Sequence, residues 1–455
     1  MIGTVNMNDK NYDVVIVGGG ISGAALFYEL AKYTDVKSIC MLEKYEALAT
    51  LNTKGTSNSQ TIHVGDIETN YTLEKAKITK RTAKMVEKFC LQYGLENKVM
   101  FAHQKMALGV GDKEVEFITK RYHEFKELFP YLELWDKEKL KELEPKIIEM
   151  PDGSDRPEAI VAMGARDQYT TVDFGKMTEE LVKQAQACED VVTDVFFHSQ
   201  VEDITKTDDG YELKTTKGEL YKAKFVVVNA GAHSLFLAHK MGHGKHMGSL
   251  PMAGSFYVTK KHLLNGKVYM VQNDKLPFAA LHGDPDILLD GKTRFGPTAL
   301  MLPKLERYKP GTYLDFWKTL NLDGDILKIF WDLLKDSEIR NYVLKNFMFE
   351  VPLINKKLFL SDARKIVPSL TECDIEYAKG FGGVRPQVLD KEKQKLMLGE
   401  ASIDTGDGII FNMTPSPGAT SCLGNAERDI RKVCEYLNLN FNEEQFLADL
   451  TQKEA

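Results

Sequence analysis

The chain has 455 residues, of which 43% are hydrophobic and 27% charged, so it is neither a disordered nor a collagen-like polymer. At roughly 150 residues per domain it makes about three folding units, or two large interleaved ones. Lys+Arg 59 against Asp+Glu 66 leaves a net charge of −7, with no basic run to track a phosphate backbone, which excludes nucleic acid as the primary partner.

The stretch 1–6 lacks the basic and apolar regions of a secretory leader, and no run reaches the length of about 18 apolar residues that spans a bilayer. The six cysteines (Cys40, Cys90, Cys188, Cys373, Cys422 and Cys434) show no CxxC pair and read as free thiols of a reducing compartment. The expected location is the cytoplasm, or the inner face of a membrane.

Residues 12–43 predict one βαβ unit: an apolar strand through Val14 to Val17, a glycine turn, a helix over 24–33 and a second strand over 38–42. Charged helical periodicity follows over 73–93 and 113–129, and over 172–187 with Thr171 and Asp173 as candidate caps. Short strands are expected at 201–205, 211–215 and 225–228, with Asp209-Gly210 as a hairpin turn. Alternation broken by Gly and Pro over 250–303 suits a twisted antiparallel sheet. Residues 315–347 predict amphipathic helix, 345–360 strand, and 424–437 a closing helix. No linker or repeat separates early from late segments, so the fold class expected is α/β. A Rossmann-type unit from 1–80, 155–249 and 370–455 would interleave with an α+β substrate unit from 81–154 and 250–369, built on the antiparallel sheet.

Gly18-Gly19-Gly20-Ile21-Ser22-Gly23 places G-x-G-x-x-G between the first strand and its helix. Gly18 permits the tight turn, Gly20 lets the backbone and Ser22 approach a pyrophosphate, and Gly23 allows close helix–strand contact, while the helix N-terminus attracts the phosphates. Glu43, at the end of the second strand, is placed to accept hydrogen bonds from an adenosine ribose. FAD and NAD both use this motif. Two later patches favour FAD. Residues 225–232 form an apolar strand ending in small residues at Asn229, Ala230 and Gly231, and residues 414–421 bring Gly418, Ala419 and Thr420 to the start of the last helix with free N–H groups. A flavin ring needs such donors where negative charge accumulates on reduction.

With residues 14–23, the block Thr56 to Gly65, Asn70-Tyr71-Thr72, residues 250–255, 294–299 and 382–387, and Ser416 to Ala419, the chain resembles the glycine-oxidase and 2-hydroxyglutarate-oxidase superfamily. Within it the pattern is most similar to the malate:quinone oxidoreductases. The resemblance implies oxidation of (S)-malate to oxaloacetate with FAD, reduction of a membrane quinone, and FAD contacts completed by Ser59, Thr61, Val201 and Gly383. An L-2-hydroxyglutarate oxidase or dehydrogenase, and a non-catalytic FAD-binding assembly protein, are the alternatives.

Oxidising a secondary alcohol requires a base for the hydroxyl proton, and histidine suits that task near neutral pH. His282, in the sheet expected to roof the flavin, and His63, in the loop expected beside it, are the candidates; a purely hydrogen-bonding role is open for each. A dicarboxylate needs cationic partners, and Arg385 and Arg294 have the planar fork that fits, unless either is a structural salt bridge. Gln60 is a neutral donor to substrate or flavin, or a loop-stabilising amide. His239, His243 and His246 lack a carboxylate or cysteine to complete a metal set, so no metal is expected. The apolar run 326–334, with Lys328, Lys335 and Arg340 nearby, suits either core packing or a membrane face that admits quinone.

Overall fold

A computed structural model describes residues 10–272, 281–351, 354–397, 399–414 and 417–451. Ala279 and Ala280 beside His282, and Pro415 and Ser416 of the tail patch, lie outside the described residues.

The first strand, Asn11–Val17, is central in a parallel sheet. Leu220–Val228 flanks it on one side and Ser38–Leu42 on the other, with Ile409–Met413 and Val192–Phe196 outside them. Val14, Val15 and Ile16 are fully buried because both faces of this sheet are covered, which is why the strand reads as a continuous apolar run. Helices Ile21–Tyr33, Phe174–Gln186 and Cys422–Leu437 share one core with Val14, Ile16 and Val227. On the other face Val15, Val17 and Val226 meet the meander Val201–Thr207 and Gly210–Thr215 and the helix His233–Lys240. Asp173 caps its helix as expected, accepting from Gly175 and Lys176 N–H at 3.1 and 3.2 Å.

A second sheet of eight strands runs in the order Ile375–Tyr377, Tyr257–Thr259, Thr293–Gly296, His282–Pro285, Lys267–Met270, Lys105–Val110, Ile160–Ala165, Glu133–Trp135. It is antiparallel except where Lys267–Met270 and Lys105–Val110 pair in parallel. A smaller antiparallel sheet joins Met247–Ala253 to Val384–Asp390, so the stretch after residue 247 feeds two sheets rather than one. The α/β fold with interleaved strands is thereby established. The Rossmann-type sheet draws on segments from the beginning, middle and end of the chain, and Ile160–Ala165 joins the second sheet.

Three expectations are corrected. The described residues of 345–360 form no strand: Ser337–Met348 and Asn355–Ala363 are helices, and Phe359, Leu360 and Ala363 are buried at helical spacing. The helical stretch 315–347 is three helices, Tyr313–Leu320, Gly324–Lys335 and Ser337–Met348. The first break is at Asn321, which takes a left-handed φ of 52°, a conformation asparagine tolerates well. Beyond Cys422–Leu437 lies a further helix, Glu443–Leu450, capped by Asn442, which accepts from Gln445 N–H at 3.2 Å. At eight residues it is too short to announce itself by periodicity.

Candidate active site

Gly18 has φ +114°, and a Cβ there would sit 2.4 Å from the carbonyl oxygen of Asn229. The turn therefore takes only glycine and brings the first βα turn onto the end of Leu220–Val228. A Cβ on Gly23 would lie 2.0 Å from the Gly18 carbonyl oxygen, so Gly23 serves helix–strand packing and does not line the cavity. Gly20 offers no side-chain cap; Ile21 N–H instead donates to Thr53 Oγ1 at 3.1 Å. Glu43 accepts Gly19 N–H at 2.7 Å and Tyr45 N–H at 2.9 Å, and burial pushes its carboxyl above the usual range.

From this cradle a cavity of about 460 Å³ extends between the sheets. Gly18, Gly20, Ser22 and Glu43 form one end. Ser59, His63, Val201, Gly231, Gly383, Arg385, Gly418, Ala419 and Thr420 also line it. The tail segment and the first βα turn thus share one cavity. Asn52, which the sequence did not single out, clamps the Gly383 loop. Its Nδ2 donates to Val384 O at 2.7 Å and its Oδ1 accepts Val384 N–H at 2.9 Å, which leaves no room for a Cβ on Gly383.

His63 is held from two sides. Its backbone N–H donates to Thr420 Oγ1 at 3.1 Å, and its Nδ1 lies 2.8 Å from Glu68 Oε1. Glu68 also accepts Gly65 N–H at 2.8 Å through Oε2. Burial drives the Glu68 carboxyl up, but the hydrogen bond to His63 and the proximity of His63 and Lys105 outweigh it and hold the group below the usual carboxylate range. The loop beneath is anchored. Asp66 pairs with Lys105 at 2.7 Å and accepts Tyr131 OH at 2.8 Å, and Arg121 donates to the Glu68 and Tyr71 carbonyls. With Nδ1 held, Nε2 is the ring nitrogen left for proton transfer. Glu68 was missed in the sequence because a single acid in a glycine-bearing loop carries no periodic signal.

Arg385 sits half-buried at the cavity, on the strand Val384–Asp390 opposite Met252. Desolvation by burial lowers its guanidinium pKa, partly offset by Tyr342 and Tyr269. Arg307, also in the lining, is committed to Gly254 O at 2.9 Å and Glu350 at 3.1 Å.

The other expected residues lie behind this wall. His282 is buried off the cavity, stacked on Tyr269 at 4.4 Å. Its Nδ1 is 2.5 Å from Asp284 Oδ2. Burial lowers the His282 pKa; at Asp284 burial is outweighed by His282 and Lys267, which hold that carboxyl at about 2. Arg294 Nη1 pairs with Asp286 at 3.2 Å and donates to Gly55 O at 3.2 Å. Gln60 Nε2 meets the same Gly55 O at 3.2 Å and Asp286 at 3.1 Å. Both side chains tie the loop before Ser59 to the second sheet. Thr61 Oγ1 pairs with Tyr269 OH at 2.8 Å, while its carbonyl accepts Thr420 Oγ1 at 3.4 Å, behind the lining. His239 Nε2 meets the Gly244 carbonyl at 3.0 Å, and no cluster of metal ligands occurs among the described residues.

The glycine cradle, the acidic strand end and the donor-rich tail line one cavity, an arrangement that fits an adenine dinucleotide carrying a flavin. The family profile described as malate:quinone oxidoreductase matches residues 10–432. The chain is 59% identical to a probable malate:quinone oxidoreductase of Campylobacter jejuni, over 98% of this chain and 100% of that one. In fold it is similar to glycine oxidase from Geobacillus kaustophilus, with a TM-score of 0.64, 15% identity and coverage of 94% and 95%. It is likewise similar to L-α-glycerophosphate oxidase from Mycoplasma pneumoniae with FAD bound, with a TM-score of 0.62, 20% identity and coverage of 95% and 96%.

Proposed function

Because the chain belongs to the malate:quinone oxidoreductase family, we propose that it oxidises (S)-malate to oxaloacetate with FAD as its cofactor and delivers the two electrons to a quinone, in peripheral contact with the inner face of the membrane. The observation that carries this reading is one cavity lined at once by Gly18, Gly20, Ile21, Ser22, Glu43, His63, Arg385 and Gly418–Thr420. FAD, when bound, supplies the acceptor for the hydride that leaves the alcohol carbon.

The chain's own residues do the rest. The Gly18–Ser22 turn and the helix N-terminus hold the pyrophosphate, and Glu43 accepts from the ribose. Arg385 takes a malate carboxylate in its planar fork, offsetting the several kcal/mol that desolvating an unpaired carboxylate costs (roughly). His63 accepts the hydroxyl proton at Nε2, and Glu68, hydrogen-bonded at Nδ1, stabilises the imidazolium that forms. His63 is favoured over His282 for this role because it lines the cavity, whereas His282 is buried behind Tyr269. Arg294 and Gln60 act as positioning residues for the loop before Ser59.

Anaerobic titration tests the assignment. The purified protein is expected to be yellow and to bleach with malate, more readily than with lactate or 2-hydroxyglutarate, without NAD. A colourless protein that turns over malate only with NAD would refute it.

A further inference from the structure

The helical segment between residues 313 and 348 is apolar on both sides. Its inner side is already used: Phe316, Leu320, Ile326 and Ile329 are buried with Leu250, Met252 and Leu389 of the small sheet. A surface helix ordinarily turns charge to water on its other face. Here Leu327, Trp331 and Leu334, at i, i+4 and i+7 of Gly324–Lys335, are 57%, 65% and 41% exposed. Leu314 and Trp317 are exposed on the preceding helix, and Leu344, Phe347 and Met348 on the following one. Of the 22 large apolar residues exposed among the described residues, 12 lie between 308 and 354, about a tenth of the chain. Scattered exposed apolar side chains are ordinary; this density marks an interaction surface.

Two observations identify the partner. Trp317 and Trp331, two of the three tryptophans, stand on this surface, and Lys328 and Lys335 border the Trp331 stripe with the Lys335 ammonium 5.8 Å from the Trp331 ring. Interfacial tryptophans, and lysines whose stems lie along apolar surface with the charge at the headgroups, suit a bilayer. The surface is also continuous with the cavity: Asp315, on the first of these helices, and Tyr308 and Lys309 just before it line that cavity, with Tyr308 exposed at the rim. A second copy of the chain seated here would cover Tyr308 at the rim of that cavity.

We propose that helices Tyr313–Leu320, Gly324–Lys335 and Ser337–Met348 form a docking face for a lipid bilayer, and that an apolar quinone passes from the bilayer to the cavity past Tyr308. The docking face rests on the exposed residues alone, whereas the quinone path rests on the function proposed above.

The holoprotein is mixed with vesicles of phosphatidylethanolamine and phosphatidylglycerol containing a long-chain quinone, and binding is read by co-sedimentation. Leu327→Glu combined with Trp331→Glu is expected to lower the vesicle partition coefficient at least tenfold, while Ile78→Glu, as exposed as Trp331 but on another helix, Leu73–Gln92, leaves it unchanged. Malate-dependent reduction of a water-soluble dye should be equal in all three proteins, which checks folding, while reduction of the embedded quinone falls only in the double variant. Independently of any variant, spin-labelled lipid should quench the tryptophan emission of the parent. Co-sedimentation of the double variant at the parent's level overturns the proposal. So does a parent that ignores vesicles and runs as a dimer which the double variant splits. A parent that docks through this face but leaves malate unoxidised sinks the malate assignment and supports the docking face.

Discussion

Replacing Glu68 by Gln removes one charge and almost no volume, and its effect follows from the contacts that carboxylate makes. Glu68 accepts on both oxygens, from His63 Nδ1 at 2.8 Å and from Gly65 N–H at 2.8 Å. A glutamine can serve only one of them. If its oxygen faces Gly65, its amide N–H₂ meets His63 Nδ1 and stabilises the tautomer with the proton on Nε2, where the base must be free. If its oxygen faces His63, the N–H₂ opposes the Gly65 N–H and leaves that donor unsatisfied, at about 1–3 kcal/mol. In either arrangement the imidazolium formed during turnover loses a charge partner, worth about 4 kcal/mol at a separation near 4 Å and an effective dielectric near 20. Together these give a loss of about 10²–10³ in kcat, with the Km for malate little changed because Glu68 does not line the cavity. Stopped-flow reduction of the bound flavin by malate measures the step directly, and the native ultraviolet–visible spectrum of the flavin confirms an intact site. Reduction by Glu68→Gln at the parent rate, or a defect confined to Km, would refute His63 as the proton acceptor and Glu68 as its orienting partner.

Arg385→Lys keeps the charge but loses the planar fork, and about 1.5–3 kcal/mol of charge-assisted hydrogen bonding corresponds to roughly a 10- to 100-fold rise in Km, read from steady-state malate kinetics with a dye acceptor. Gly18→Ala forces a Cβ to 2.4 Å from the Asn229 carbonyl oxygen at a φ of +114°, so the purified protein should carry less FAD per chain and melt at lower temperature; a full flavin complement would show that the turn is not part of the cofactor cradle. Burial pushes Glu144 up to about 7, despite N–H bonds from Asn265 and Gly266 and the amide of Gln104, so the folded state keeps its proton across a range in which the unfolded chain, at 4.5, has lost it. Stability should fall as pH rises from 4.5 to 7, by roughly 3 kcal/mol, and level off above. Urea midpoints that follow this slope in the parent and lose it in Glu144→Gln would bear that out; a slope unchanged by the substitution would not.

The first βαβ unit, its glycine turn and the acid at the end of its second strand are legible before any folding is known, because those features obey local rules: a continuous apolar run for a strand covered on both faces, a turn that needs φ > 0, and an amphipathic helix. The sequence also marked His63, Arg385 and the Gly418–Thr420 tail, each close to glycine or proline, although Arg385 stands on the strand Val384–Asp390 rather than in a loop. What no local rule contains is which of the marked side chains face the same space. His282, Arg294 and Gln60 carry the right chemistry, yet strand pairing turns them to Asp284, Asp286 and the Gly55 carbonyl behind the wall. Glu68 and Asn52 carry no pattern of their own and gain their roles from a ring 2.8 Å away and a backbone 332 residues distant. Those partners come from the folded arrangement, because a buried polar group is satisfied by whatever the packing of separate chain segments brings within reach.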